Sequence, residues 1–208
     1  LIVLSADHGQ PEVPGYLHTL GIDKAHHFDT KALDKTPAIA ALKKQFGLGE
    51  ELIEAYFQPY IYLNHELIRK KGLDQAVVEQ AVATQLTKFK GVAYAVSSTA
   101  LRTANLPDTL LTRSILRNFH LKRSGDIYLV FEPNVFIADF GKLKVSSVHG
   151  SPWKYDTYVP IFFAGNGVSD QTISRPVEPY DIAATIAAYL EIKPPSGSVG
   201  VPLVEVLN

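Results

Sequence analysis

The chain has 208 residues, 20 Lys and Arg against 21 Asp and Glu, a formal net charge of −1, and neither cysteine nor methionine. That length supports one large domain or two small ones and needs no disulfide or metal staple. Balanced charge leaves no basic footprint for nucleic acid or an anionic membrane surface. No run approaches the roughly 18 apolar residues of a membrane span. Thiolate chemistry is excluded while the compartment stays open. A chain of this size without methionine is expected either to be a segment of a longer one or to have lost modified methionines from its written sequence.

The first element is LIVLSA, β-branched and apolar at consecutive positions, the pattern of a strand buried on both faces in a helix-covered parallel sheet. Residues 36–46 and 49–57 read as two short helices, followed by a strand at 60–63. A strong helix is expected over 73–89, a strand over 92–96, a helix over 107–119 and a strand over 127–131. This β-α-β-α-β order can own a small core. VPIFFA at 159–164 is a second doubly buried strand, with Pro160 at its start, where a missing N–H is tolerated. Ile182, Ile186, Tyr189 and Leu190 follow helical spacing, with Pro179 and Asp181 at the helix start and Pro194-Pro195 beyond its end. The expected organisation is a discontinuous α/β sheet, 1–25 with 139–208, interrupted by an α+β module at 26–138.

Asp7, His8 and Gly9 follow directly on the first strand, and open parallel sheets bind ligands outside the carboxyl ends of their strands. A carboxylate beside an imidazole offers the oxygen and nitrogen donors that suit zinc or manganese, and Gly9 permits the turn that aims both at one point. The plainer reading makes Asp7 a turn cap and His8 a surface residue. His149, in the loop SSVHGSPWKYDTY, is taken alone more often a hydrogen-bonded loop histidine than a ligand. His26-His27, with only Asp29 nearby, reads as a solvated turn. Ser97-Ser98-Thr99 and Ser146-Ser147 lack the Gly-x-Ser-x-Gly elbow of an activated nucleophile. Among cations that could meet a phosphate, Lys154, with Tyr155 beside it, is nearer His149 than Lys122 or Arg123.

ADHG at residues 6–9, HGSPWKYDTYVPIFFAG at 149–165 and RPVEPYDIAATIAAYLEIKPPSGSVGVPLVEVL at 175–207 together resemble the alkaline phosphatase superfamily. RSGDIYLVFEPN at 123–134 resembles the segment before the last metal histidine of its bacterial members. The likeness is greatest to the type I phosphodiesterase and nucleotide pyrophosphatase branch, which includes single-chain bacterial alkaline phosphatases with a threonine nucleophile. It implies an α/β fold, part of the three-layer sheet of that superfamily with an inserted α+β module.

It also implies two zinc ions, roughly 4 Å apart, clamping both oxygens of an in-line displacement. Asp7 and His8 match the pair on the zinc that activates the nucleophile. His149 matches a ligand of the other zinc, Asp181 a structural helix start, and Lys154 and Tyr155 would lie at the substrate rim. The family's nucleophile and its remaining ligands have no counterpart in these 208 residues. The expectation is therefore a phosphate ester hydrolase acting through a covalent phosphoenzyme in a longer chain, periplasmic or secreted, with this segment inactive alone. A sulfatase, a phosphonate- or phosphoglycerate-handling relative, and a binding module at 26–138 are the alternatives.

Overall fold

The computed structural model describes residues 1–31, 33–49, 51–137 and 147–207. In chain order the elements are β1 (Ile2–Ser5), α1 (Pro14–Thr19), β2 (His26–Phe28), α2 (Pro37–Gln45), β3 (Ile53–Phe57), β4 (Tyr60–Leu63), α3 (His65–Lys70), α4 (Gln75–Leu86), β5 (Val92–Ser97), α5 (Ser98–Arg102), α6 (Leu110–Asn118), β6 (Ile127–Phe131), β7 (Val135–Ile137), α7 (Lys154–Thr157), β8 (Ile161–Ala164) and α8 (Asp181–Tyr189). They form two units, Gln10–Thr157 and Leu1–Gly9 with Tyr158–Asn208. The boundary expected at 138/139 lies outside the described residues.

In the larger unit an antiparallel sheet of order β3-β4-β6-β5 is covered on both faces. Strand alternation divides its side chains between two apolar clusters. Ile61, Leu63, Ile127 and Leu129 join Ile39, Leu67, Val78, Val82 and Leu86 on the side of α2, α3 and α4. Tyr60, Tyr128, Val96 and Val130 join Leu101 and Ile115 on the side of α5 and α6. An apolar strand with no polar face, such as IYLVF, is stable only where both faces are covered, and β6 meets that condition. Gly125, just before β6, has no room for a side chain, because a Cβ there would lie 2.8 Å from the Ile61 carbonyl oxygen. That space is used by the Asp126 N–H, which donates to the same oxygen at 2.9 Å.

Buried carboxylates tie the helices to this sheet. Glu79, fully buried on α4, accepts from the Ser98 hydroxyl and from the N–H and hydroxyl of Thr99, which holds the first turn of α5. Asp34 accepts from Leu52 and Ile53 N–H at 2.9 and 2.8 Å and pairs with Lys43 at 2.6 Å. These bonds help explain why residues 53–57 are strand β3 instead of the helix expected over 49–57. The local helix propensity of ELIEA is overridden by the amide anchors and by pairing with β4, Tyr56 opposite Ile61 and Phe57 opposite Tyr60. His26 and His27 are likewise not in a turn: they lie on β2, which pairs in parallel with β7.

In the smaller unit β1 pairs with β8, Ile2 opposite Ala164 and Leu4 opposite Phe162. The pairing is antiparallel and burial alternates, which corrects the expectation of two doubly buried strands in a parallel sheet. Val3 and Phe163 share a half-buried face, whereas Ile2, Leu4 and Phe162 stand on the other face at 71%, 64% and 57% exposure. Each strand has one hydrogen-bonded neighbour among the described residues, so this two-stranded ribbon covers only one side of its own apolar sequence. At the start of α8, Asp181 accepts from Glu178 N–H at 3.0 Å and Val201 N–H at 2.9 Å. Thr185 Oγ1 accepts from Leu203 N–H at 2.9 Å. Asp181 thus holds the segment after α8 against the helix, the structural part its position suggested.

Two outcomes follow for stability. Ile127→Ala opens a void between sheet and helices at a side chain with no exposure and is expected to cost about 3 kcal/mol in urea unfolding; a loss below about 1 kcal/mol would contradict the two-sided core. Hydrogen bonds from Arg175 hold the Glu205 carboxyl down at about 2 from its ordinary 4.5. This depressed folded value makes the tether stabilising above about pH 4.5, with the contribution lost as pH falls toward 2. A carboxyl NMR titration should place the Glu205 midpoint near 2 and return it toward 4.5 in Arg175→Gln; the same midpoint in both proteins would refute the tether.

Candidate metal centre

β1 ends at Ser5, whose hydroxyl donates to the Pro160 carbonyl at 3.0 Å and fixes where the chain leaves the ribbon. Two residues later the Asp7 carboxylate, 88% exposed, accepts the His8 N–H at 3.0 Å through Oδ1. His8 Nδ1 lies 2.7 Å from the Gly9 carbonyl oxygen. A carbonyl only accepts, so Nδ1 carries the proton, and in the neutral ring Nε2 bears the lone pair. Nε2 is 3.6 Å from Asp7 Oδ2. Two donor atoms on one tetrahedral zinc, each about 2.0 to 2.1 Å from it, stand about 3.4 Å apart. Both the spacing and the tautomer therefore suit a shared cation, and an N–H given to a backbone carbonyl is how ligating histidines are commonly oriented.

His149 belongs to the other unit and is exposed. Its backbone is held on both sides. Upstream, Ser147 Oγ accepts from Gln10 Nε2 at 2.7 Å, and Val148 packs against the buried cluster of Leu17, Ala25 and Phe136. The His149 carbonyl itself accepts from Gln58 Nε2 at 2.8 Å. Downstream, Ser151 N–H donates to Asp156 Oδ2 at 2.7 Å, and Trp153 Nε1 donates to the Phe131 carbonyl at 3.0 Å. Asp156 is 4% exposed, and its Oδ1 is buried without a hydrogen-bond partner.

Lys154 is exposed on α7, and Tyr155 beside it is half-buried. The Tyr155 hydroxyl accepts from Asn134 N–H at 3.3 Å, and burial pushes its pKa up, so the phenol stays neutral and anchors the loop. A cavity of about 30 Å³ under this loop, lined by Tyr56, Tyr128, Phe131, Trp153 and Asp156, has room for a water molecule and not for a substrate. Among the described residues no three His, Asp or Glu side chains gather as a metal-holding group. Asp7 and His8 are thus brought together as a donor pair, while His149 stands in a loop braced by Gln58 and Asp156. Sequence reading missed both braces: Gln58 lies 91 residues from its partner, and Asp156 reads as one more polar residue of a loop. Ser146 lies outside the described residues.

No protein-family profile matches the chain. It is 32% identical over 207 residues to a protein named calcium-transporting ATPase from Myroides odoratus, and 30% identical over 211 residues to alkaline phosphatase PafA of Elizabethkingia meningoseptica. Each match covers 100% of this chain and 37% of the relative. Alkaline phosphatase PhoV of Synechococcus elongatus is 26% identical over 217 residues, with 36% of its length covered. Among the described residues no helix is long and apolar enough to cross a membrane. The crystal structure of wild-type alkaline phosphatase PafA superposes with a TM-score of 0.82 at 29% identity, covering 99% of this chain and 38% of that one. The chain spans a little over a third of the length of the relatives it matches. In sequence and in fold alike, the chain is similar to a part of these alkaline phosphatases.

Proposed function

We propose that these residues are the carboxyl-terminal part of a zinc-dependent phosphohydrolase of the type I phosphodiesterase and nucleotide pyrophosphatase branch, periplasmic or secreted, acting on a phosphate ester. The observation that carries the reading is the Asp7 and His8 pair, two donor atoms 3.6 Å apart with the imidazole proton committed to Gly9. Residues 1–25 and 139–208 would form the catalytic core and 26–138 a module set into it.

In this reading Asp7 and His8 hold one zinc and His149 contributes to the second. Zinc held there would supply Lewis acidity toward an attacking hydroxyl and the phosphoryl oxygens. The Lys154 ammonium, exposed on the helix after His149, attracts the substrate dianion at the rim. Tyr155 holds the loop through its hydroxyl, beside Lys154 at the rim. The Thr or Ser that forms the covalent phosphoenzyme and the remaining ligands come from outside these 208 residues, which span 37% of the relatives' length.

The test is hydrolysis of p-nitrophenyl phosphate and of its diester by the full-length protein, with metal content measured in parallel. Asp7→Ala, His8→Ala and His149→Ala should each lower kcat/KM by at least about a hundredfold and cost bound zinc. The 208-residue chain alone should show no zinc-dependent turnover. Unimpaired variants, or turnover by the isolated chain, would overturn the proposal, and calcium in place of zinc would point to the sulfatase alternative.

A further inference from the structure

We propose that Gln58 is a positioning residue for His149, an inference that rests on reading His149 as a zinc ligand. Gln58 stands with Pro59 in the turn between β3 and β4, where Phe57 and Tyr60 are paired. Its side chain leaves the sheet and donates from Nε2 to the His149 carbonyl at 2.8 Å. A carbonyl oxygen can only accept, so this contact also fixes which way the Gln58 amide is turned.

The next residue is fitted to the same amide. Gly150 has φ +99°, a conformation that side chains rarely adopt, and a Cβ there would lie 3.2 Å from Gln58 Nε2. Glycine lets the backbone close on the glutamine instead of being held off by a methyl group. Gln58 therefore grips the peptide that carries the imidazole, through a hydrogen bond to His149's own carbonyl.

A ligand side chain can be misplaced by rotation about its backbone even when its ring is intact. Ser147 and Val148 fix the backbone before His149 and Ser151 fixes it after, but the 149–150 peptide plane lies between these anchors. Gln58 holds that plane at its carbonyl. The hairpin tip of the α+β sheet thereby reaches the ligand loop and sets the direction from which the imidazole approaches a metal ion, a role comparable to the outer contacts that orient first ligands.

The experiment is titration of zinc into the zinc-stripped full-length protein against a chromogenic chelator, for the unaltered protein and for Gln58→Met, Gln58→Glu and His149→Ala. Met and Glu both keep the length of the side chain and remove the N–H donor, and they differ in charge. Both are expected to weaken about tenfold the binding step that His149→Ala removes, and to leave the other step unchanged. If His149→Ala alters neither step, the zinc reading itself fails. If it removes one step and the two Gln58 variants bind as the unaltered protein does, the positioning role fails while the zinc reading stands. Equal weakening of both steps, or weakening by Glu alone, would also overturn the positioning role, as general destabilisation or a charge effect.

Discussion

A strand that is apolar at every position has to be covered on both faces, and much of this molecule follows from where that condition is met. It is met at β6, where Ile127 and Leu129 face one layer of helices and Tyr128 and Val130 face another. The sheet of which β6 is an inner strand can therefore act as a rigid support. The condition is met only by half in the β1 and β8 ribbon, which turns Ile2, Leu4 and Phe162 outward. In the proposed reading, layers contributed by a longer protein would cover that second face, in keeping with a match that spans 37% of each of two relatives.

The candidate ligands are held by contacts to backbone groups more than by side-chain packing. His8 is set by a carbonyl one residue away, a local device that needs nothing from the rest of the fold. His149 is set by contacts from distant segments: Gln10 and Gln58 before and at it, Asp156 after it. Two candidate ligand groups thus depend on the fold to different degrees. The first should keep its geometry wherever β1 keeps its end, and the second is only as well placed as the sheet that carries Gln58.

What could be read from the sequence was whatever depended on near neighbours. The helices now seen as α4, α6 and α8 follow from their own spacing and end signals, and β5 and β6 from short apolar runs. The placing of Asp7 and His8 side by side after a strand was legible because all of it lies within nine residues. What could not be read depended on distant partners. The stretch at 53–57 has helix-forming residues, and the carboxylate of Asp34, 18 residues upstream, together with β4 makes it a strand. β2 exists because β7, more than a hundred residues later, pairs with it. The antiparallel sense of β1 and β8 carries no signature in their own residues, since apolar runs serve either direction.

The central claim is that Asp7, His8 and His149 are zinc ligands. It is tested most directly by a crystal structure of the intact protein grown with zinc, with diffraction recorded on both sides of the zinc absorption edge. The account predicts two anomalous peaks, one about 2.0 to 2.2 Å from Asp7 and His8 Nε2 and the other at that distance from a ring nitrogen of His149. Zinc bound elsewhere while these three side chains stay beyond ligand distance would contradict it.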